Sequence, residues 1–335
     1  QNNNKLSSVE SWGDQEWRAM MGSFRDAESM TLNTTQAPEF IGVTSLNSTF
    51  RNTSSFNQSI NNWDVSQVTT MTGAFYGAVN FNQPLDNWDV SQVTNMNLMF
   101  FNAANFDQSL NNWDVSSVVF MRQLFDSAIN FNQPLNDWDV SSVVDMNGMF
   151  GSFTGPMVFN QPLNDWDVSS VVVMDRMFLN AENFNQPLDN WDVSNVNFMN
   201  FMLQDAFMFN QDISMWCVEQ ITQEPIGFAE NSALQNNNFP DWGEDCDTFS
   251  INNEENLGLE VYPNPVQDML SISFRNQPVY DEFEITIYDM NGSMISNQIR
   301  NQASSQIDIS KLSTGIYLLK ISSNNISQTK RIIKL

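Results

Sequence analysis

A four-residue core, Trp-Asp-Val-Ser, returns at Trp63, Trp88, Trp113, Trp138, Trp166 and Trp191, and a degenerate copy, Trp-Cys-Val-Glu, follows at Trp216. The steps are 25, 25, 25, 28, 25 and 25 residues, the long one carrying three extra residues within Gly151 to Val158. A fixed period of this length constrains the fold more than any composition does. Each unit is too short to bury its own apolar face and must bury it against its neighbours.

In the copy around Trp88 the apolar positions are Leu85, Trp88, Val90, Val93, Met96, Met99, Phe100, Ala103 and Phe106. Leu-x-x-Trp-x-Val reads as a strand with Trp88 and Val90 on one face and Asp89 and Ser91 on the other. From Val93 the spacing changes to a helical one, and Ser91 stands where a side-chain oxygen caps a first turn. Phe-Asn-Gln-Pro-Leu returns the chain to the next strand, with Pro84 fixing the turn. The expected fold class is therefore α/β: a leucine-rich-repeat-like solenoid of 25-residue strand–helix coils whose strands form a parallel sheet ~4.8 Å apart.

Charge divides the chain. Of 13 basic and 39 acidic residues, 7 of each lie from Leu259 onward, so the repeats carry the whole net charge of −26. Such a surface repels nucleic acid and anionic membrane and favours divalent cations. No apolar run reaches membrane-spanning length. The sequence opens on Gln1 rather than Met, which is the expectation for a product whose export signal has been removed. In an exported chain the two cysteines, Cys217 and Cys246, are expected to form a disulfide worth roughly 3–4 kcal/mol from loop closure. A reduced pair is the alternative if the chain is not exported.

Taken in order, Trp12 to Met30 has helical spacing and reads as an N-terminal cap, and Val43, Leu46 and Phe50 mark a worn half-repeat. Trp216 to Cys246 reads as the C-terminal cap, so the solenoid is expected over residues 1–246, with a polar linker at 247–257. Residues 258–335 are a different object. Leu270–Phe274, Phe283–Tyr288, Ile316–Ile321 and Ile326–Lys334 alternate like strands, and Asn291-Gly292 is a hairpin signal. The expectation is a small all-β sandwich.

The six copies of Phe-[Asn/Asp]-Gln-x-[Ile/Leu]-x-x-Trp-Asp-Val-Ser-x-Val-x-x-Met resemble the BspA-like leucine-rich-repeat surface proteins, over most of residues 1–246. That resemblance implies a secreted or surface-displayed bacterial protein associated with binding or adhesion, and names no ligand. The tail resembles the type A C-terminal sorting domain of type IX secretion cargo. The matching runs are Val261-Tyr262-Pro263-Asn264-Pro265, Ile287-Tyr288-Asp289-Met290-Asn291-Gly292, Leu312-Ser313-Thr314-Gly315-Ile316-Tyr317 and Lys330-Arg331-Ile332-Ile333-Lys334-Leu335. This resemblance implies a Bacteroidota host, recognition by the type IX translocon, and processing by a sortase-like protease. The sorting-signal residues it implies are Pro263, Asn264, Pro265, Asp289, Gly292, Gly315, Tyr317, Lys330 and Lys334. The localisation implied is the cell surface or the extracellular space.

Two readings compete for the aspartates that follow each tryptophan, Asp64, Asp89, Asp114, Asp139, Asp167 and Asp192. Stacked at ~4.8 Å they repel by about 0.9 kcal/mol per pair in bulk water. A nearby helix N-terminus and backbone hydrogen bonds would offset that. Structural capping is the expectation, with no metal and no cofactor, and a column of calcium ions is the alternative. The tryptophans and the Met and Phe stripe read as core, and the Asn-Gln pairs (Asn82-Gln83, Asn132-Gln133, Asn185-Gln186) as side-chain ladders. The chain has no histidine, so the usual general base and nucleophile pairs are missing and an enzyme is not expected. Two functions remain. One is a non-catalytic binding or adhesion module for a protein or glycan ligand. The other is a structural or accessory subunit of a surface or outer-membrane secretion or motility assembly, its sorting domain uncleaved. A binding site should use positions that break the repeat, such as the insertion Gly151 to Pro156, or Arg122 and Arg176 in their acidic field.

Overall fold

The computed structural model describes residues 6–14, 16–245, 259–274, 283–289, 293–300, 304–323 and 326–335. It divides into two compact units, Gln1–Gly243 and Glu244–Leu335. The expected linker at 247–257, Cys246, and Asn291-Gly292 lie outside the described residues.

In the first unit the repeats stack in register, but the expected strand–helix coil with its parallel sheet is overturned. Among the described residues the one helical element is a 3₁₀ turn at Asn236–Asn238. Among the described residues of this unit the one paired strand couple joins β1 (Ser8–Val9) and β2 (Thr31–Leu32). The Trp12–Met30 segment is likewise turns, not a helix. Trp-Asp-Val, read as the strand, makes no ladder. The inter-coil backbone bonds fall instead on the segment read as helix.

That segment alternates between two kinds of donor. Met96, Leu98, Phe100 and Asn102 donate their N–H to Phe120, Arg122, Leu124 and Asp126 of the next coil. Met99, Phe101 and Ala103 donate back three residues within their own coil, closing successive four-residue turns. An apolar spacing of three serves such turns as well as it serves a helix, so periodicity alone cannot separate them. The backbone does separate them: φ is +59° at Leu98 and +53° at Asn102, each the third residue of a turn, as a type II turn requires. Glycine at Gly73, Gly77 and Gly148 and asparagine at Asn52 and Asn180 fill the equivalent places, where the left-handed region favours them. Between coils this leaves isolated parallel bridges, in series from Ser45 through Thr70, Asn95, Phe120, Asp145 and Val173 to Phe198.

The core is built from columns. Phe50, Phe75, Phe100, Phe125, Phe150 and Phe178 stack at 5.3 to 5.9 Å between ring centroids. A second column, Phe56 to Phe209, lies against it with centroids 4.0 to 4.6 Å apart across the pair. Each tryptophan from Trp88 to Trp216 is buried, and its indole N–H donates to the carbonyl of Ile60, Leu85, Leu110, Leu135, Leu163 or Leu188 one coil back, at 2.8 to 3.0 Å. Apolar bulk and a hydrogen bond thus come from one side chain. The insertion leaves the ladder intact because it follows Ser152, the last alternate donor of the turn segment, which still reaches Leu179; Met157, further along, adds a forward bond to Asn180. Gly151 is required there, since a Cβ would sit 2.6 Å from the Arg176 carbonyl oxygen.

The second unit holds two antiparallel sheets. One has the order β3 (Leu259–Tyr262), β4 (Met269–Phe274), β7 (Ser304–Asp308). The other has the order β6 (Met294–Arg300), β5 (Phe283–Asp289), β8 (Gly315–Ser323), β9 (Ile326–Lys334). Alternating residues of both, among them Leu270, Ile272 and Ile307 from the first and Ile285, Ile287, Leu319, Ile321 and Ile332 from the second, close one apolar core. The alternation in the sequence placed four of these strands correctly to within two residues.

Replacing Trp138 by Phe should test the column. It keeps most of the apolar area but leaves the Leu110 carbonyl buried without its donor, a loss of about 1–3 kcal/mol. The expected readout is a lower urea midpoint, with amide exchange accelerated first at the two coils that Trp138 joins.

Candidate functional site

Comparison of the copies at equivalent positions separates two kinds of surface. On one, the side chains repeat because they hold the stack together. Asn57 Oδ1 accepts the Asn82 amide at 2.8 Å and the Gln83 side-chain amide at 3.1 Å. The same pair of bonds recurs on Asn82, Asp107, Asn132, Asn160 and Asn185. Asp107 keeps its place because only an acceptor oxygen is needed there.

The six aspartates after the tryptophans are engaged locally. Each turns Oδ1 onto the amide two residues on, Ser66, Ser91, Ser116, Ser141, Ser169 or Ser194, at 3.0 to 3.1 Å. No helix dipole assists them, since no helix is there. The Ser91 and Ser141 hydroxyls, and then their amides, hold the Asp89 and Asp139 carboxyls below the usual aspartate range. Asp167 and Asp192 border a recess of about 340 Å³ with Asn164, Asp165 and Asn190. Among the described residues no three metal-ligating side chains converge, there or elsewhere.

The second surface is the outward side of the turn ladder, where Asn47, Asn97, Asp175 and Asn200 still pass an acceptor oxygen to the next coil but the other side chains diverge. The bridge column alone reads Ser45, Thr70, Asn95, Phe120, Asp145, Val173 and Phe198. Phe120 is 40% and Phe198 50% exposed. Arg51, Arg122 and Arg176, the only basic residues between Arg25 and Arg275, all lie on this side. The Arg51 guanidinium sits 3.9 Å above the Tyr76 ring, which stacks on Phe101 at 4.6 Å, and Arg176 lies 5.1 Å from the Phe201 ring. The insertion begins at the margin of the same surface. Its Phe153 is 61% exposed, while the Ser152 hydroxyl accepts the Thr154 and Gly155 amides. So Arg122, Arg176 and the insertion, singled out in the sequence, share one surface with the aromatics. The aromatic contribution was missed, because Phe120 and Phe198 resemble core residues until the ladder register is known.

One member of this surface turns inward. Asp126 is buried, accepting from the Gln123 side-chain amide and the Ser127 hydroxyl, and burial pushes its carboxyl up despite those bonds. The folded chain therefore binds that proton more tightly than the unfolded chain. Its contribution to stability falls as pH rises from the usual 3.8 through the raised folded value, whereas Asp89 and Asp139 add stability that is lost as pH falls through their depressed values. Asp126→Asn should raise the unfolding midpoint at neutral pH and flatten its pH dependence just above 3.8. Urea titrations across a pH series check both.

Cys217 is disulfide-bonded; the other cysteine of the expected pair, Cys246, lies outside the described residues. In the second unit the sorting residues fall into two groups. Asn264, between Pro263 and Pro265, donates to the Arg331 carbonyl at 2.9 Å and accepts the Ile333 amide at 2.8 Å. Val266 then pairs with Lys334 in parallel, and Gly315 pairs with Lys334 from the other side. The Lys334 ammonium lies 3.8 Å from Asp268 and donates to the Leu335 carbonyl, and Lys330 is buried. Asp289 accepts the Ser293 amide and pairs across strands with Tyr317, whose hydroxyl donates to the Ser313 carbonyl. Gly292 lies outside the described residues. Asn264→Ala should release the end of β9 at a loss of about 1–3 kcal/mol for two hydrogen bonds. Faster exchange of the Ile333 amide in the full chain is the expected sign.

The family described as "Mycoplasma protein of unknown function, DUF285" matches residues 18–133, 84–154 and 121–242, together more than half of the chain. The family described as "Secretion system C-terminal sorting domain" matches residues 260–335. Among curated proteins, the Ulvan lyase NLR42 of Nonlabens ulvanivorans is 27% identical over 95 residues, 28% of this chain and 17% of its own length. The chain thus spans less than a fifth of that relative. The tail match assigns export by type IX secretion, to the cell surface or the extracellular space. Among the described residues no helix is long and apolar enough to cross a membrane.

Proposed function

We propose, from the premise that the chain belongs to the DUF285 family and carries a type IX sorting domain, that it is a non-catalytic binding module. Its ligand, a protein or a glycan at the bacterial exterior, meets the divergent outward side of the turn ladder. The observation that carries this reading is the segregation of residue types. Positions that hold coils together repeat, whereas the exposed aromatics and the arginines gather where copies differ. Aromatic residues and arginine are the side chains most enriched at interaction surfaces and their hot spots. The acidic surroundings of Arg122 and Arg176 favour a ligand that offers both an acceptor group and apolar or cationic area.

A lack of catalysis is part of the proposal. Without histidine, a carboxylate would have to act as the general base. The repeated aspartates already accept from their serines, and Asp126 is enclosed by Gln123 and Ser127. Lyase activity belongs to a relative of which the chain matches 17%.

The test is a variant carrying Phe120→Ser, Arg122→Glu, Arg176→Glu and Phe198→Ser, compared with the unaltered chain for secretion and for capture of surface proteins, glycans and ulvan. Secretion is expected to persist, while affinity for the captured ligand drops at least about tenfold, some 1.4 kcal/mol. A variant that binds as before would remove this surface from consideration. Stoichiometric recovery of an outer-membrane assembly with both chains would instead favour the accessory-subunit reading.

A further inference from the structure

Over the turn segment of each coil the inter-coil bonds run forward, so the peptide groups there point one way along the stack. Just before that segment the chain bonds back, as Thr94 does to Thr69 and Val119 to Thr94. One column runs from Gly22 to Asn47, Ser48 to Thr72, Gly73 to Asn97, Leu98 to Arg122, Gln123 to Asn147, Gly148 to Asp175, Arg176 to Asn200 and Phe201 to Ile226, each N–H···O between 2.7 and 2.9 Å. Two neighbouring columns end the same way, Leu203 donating to Phe228 and Asp205 to Glu230. The next donors in register are the amides of Gly227, Ala229 and Asn231, and among the described residues nothing accepts from them. Their coil already has the ladder geometry, with φ of +61° at both Gly227 and Asn231. Ile226, beside them, is 71% exposed.

We infer that this last coil is a docking edge for an extended, basic peptide segment of another protein, distinct from the surface proposed above. The occupant's main-chain carbonyls accept the three amides. Edges of unpaired backbone donors recruit added backbone in this way, and aligned peptide dipoles place partial positive charge on the N–H end, as at a helix N-terminus. Unlike a β-strand edge, this one offers donors only. It therefore selects carbonyls and cannot pair with another copy of itself. At the opposite end of the stack the outward carbonyls belong to Met21, Ser23 and Arg25, of which Ser23 has a further partner in its own chain. Head-to-tail stacking of copies is therefore the competing occupant, which a dependence on protein concentration would reveal. Side chains set the sign of the partner. No basic residue lies between Arg176 and Arg275, and the exposed Glu224 and Glu230 flank the three amides. A lysine- or arginine-bearing segment satisfies both the edge and its rim, whereas an acidic segment meets repulsion.

The experiment uses the full chain and two synthetic probes, acetyl-Lys-Thr-Lys-Thr-Lys-Thr-Lys-Thr-amide and the same peptide with Glu for Lys, with amide hydrogen exchange read residue by residue. The lysine peptide is expected to slow exchange at Gly227, Ala229 and Asn231 at least about tenfold, and the glutamate peptide is not. Ala229→Pro, which deletes the middle donor, should abolish that protection while the Leu203 amide stays protected, showing that the ladder behind it is intact. Glu224→Lys with Glu230→Lys should reverse the preference between probes without touching the backbone. The inference is overturned if the three amides exchange slowly in the chain alone, if the two probes protect equally or not at all, or if protection follows protein concentration without peptide.

Discussion

The constraint on which the repeat unit depends is the forward transfer of alternate amides from each coil to the next. A 25-residue coil cannot satisfy its own backbone, because turns closed three residues back use only every second N–H. The other donors find acceptors only if an equivalent coil lies directly beneath them. This fixes the period and puts left-handed residues at two places four apart in most coils. It also explains why the three extra residues enter after Ser152, beyond the last alternate donor of the turn segment, and not within that segment. Buried phenylalanine columns and indole-to-carbonyl bonds follow from the same register, since like residues are brought above like.

A stack of this kind divides its surface by function. Where side chains must bridge one coil to the next, an acceptor oxygen is needed at every level, and asparagine or aspartate supplies it. Drift from that choice would leave amides without partners. On the outward side of the ladder fewer side chains carry that duty. Asn47, Asn97, Asp175 and Asn200 still accept the Thr72, Arg122, Asn200 and Ile226 amides of the next coil, while the side chains of Phe120, Arg122, Arg176 and Phe198 supply no such acceptor and vary. The same logic makes the acidic surface tolerable. Aspartates whose carboxylates accept serine donors are stabilised locally, with no helix dipole beside them.

The tail reaches cohesion by other means. Its sheets are short and antiparallel, and its last strand is held at both edges near the terminus, by Gly315 on β8 and by Val266 after the Pro263-Asn264-Pro265 turn. Asn264 ties that turn to β9 through one donor and one acceptor bond. The first and last motifs of the sorting signal, far apart in sequence, are therefore a single structural feature.

The sequence by itself determined the repeat, its 25-residue step, the identity of the core residues, the side-chain ladders and the strands of the tail, because each depends on residue type at a fixed spacing. It also held an unused clue to the turns, the recurrence of Gly and Asn at Gly73, Gly77, Asn102 and Asn180, where a helix former would be expected. Only the tertiary structure decided between helix and turn. Apolar residues three apart fit both, and the choice lies with the acceptors that a neighbouring coil presents to alternate amides. For the same reason the divergent surface and the open amides of Gly227, Ala229 and Asn231 could not be read from the chain. Both are properties of one coil's place upon another, which spacing along a single sequence does not record.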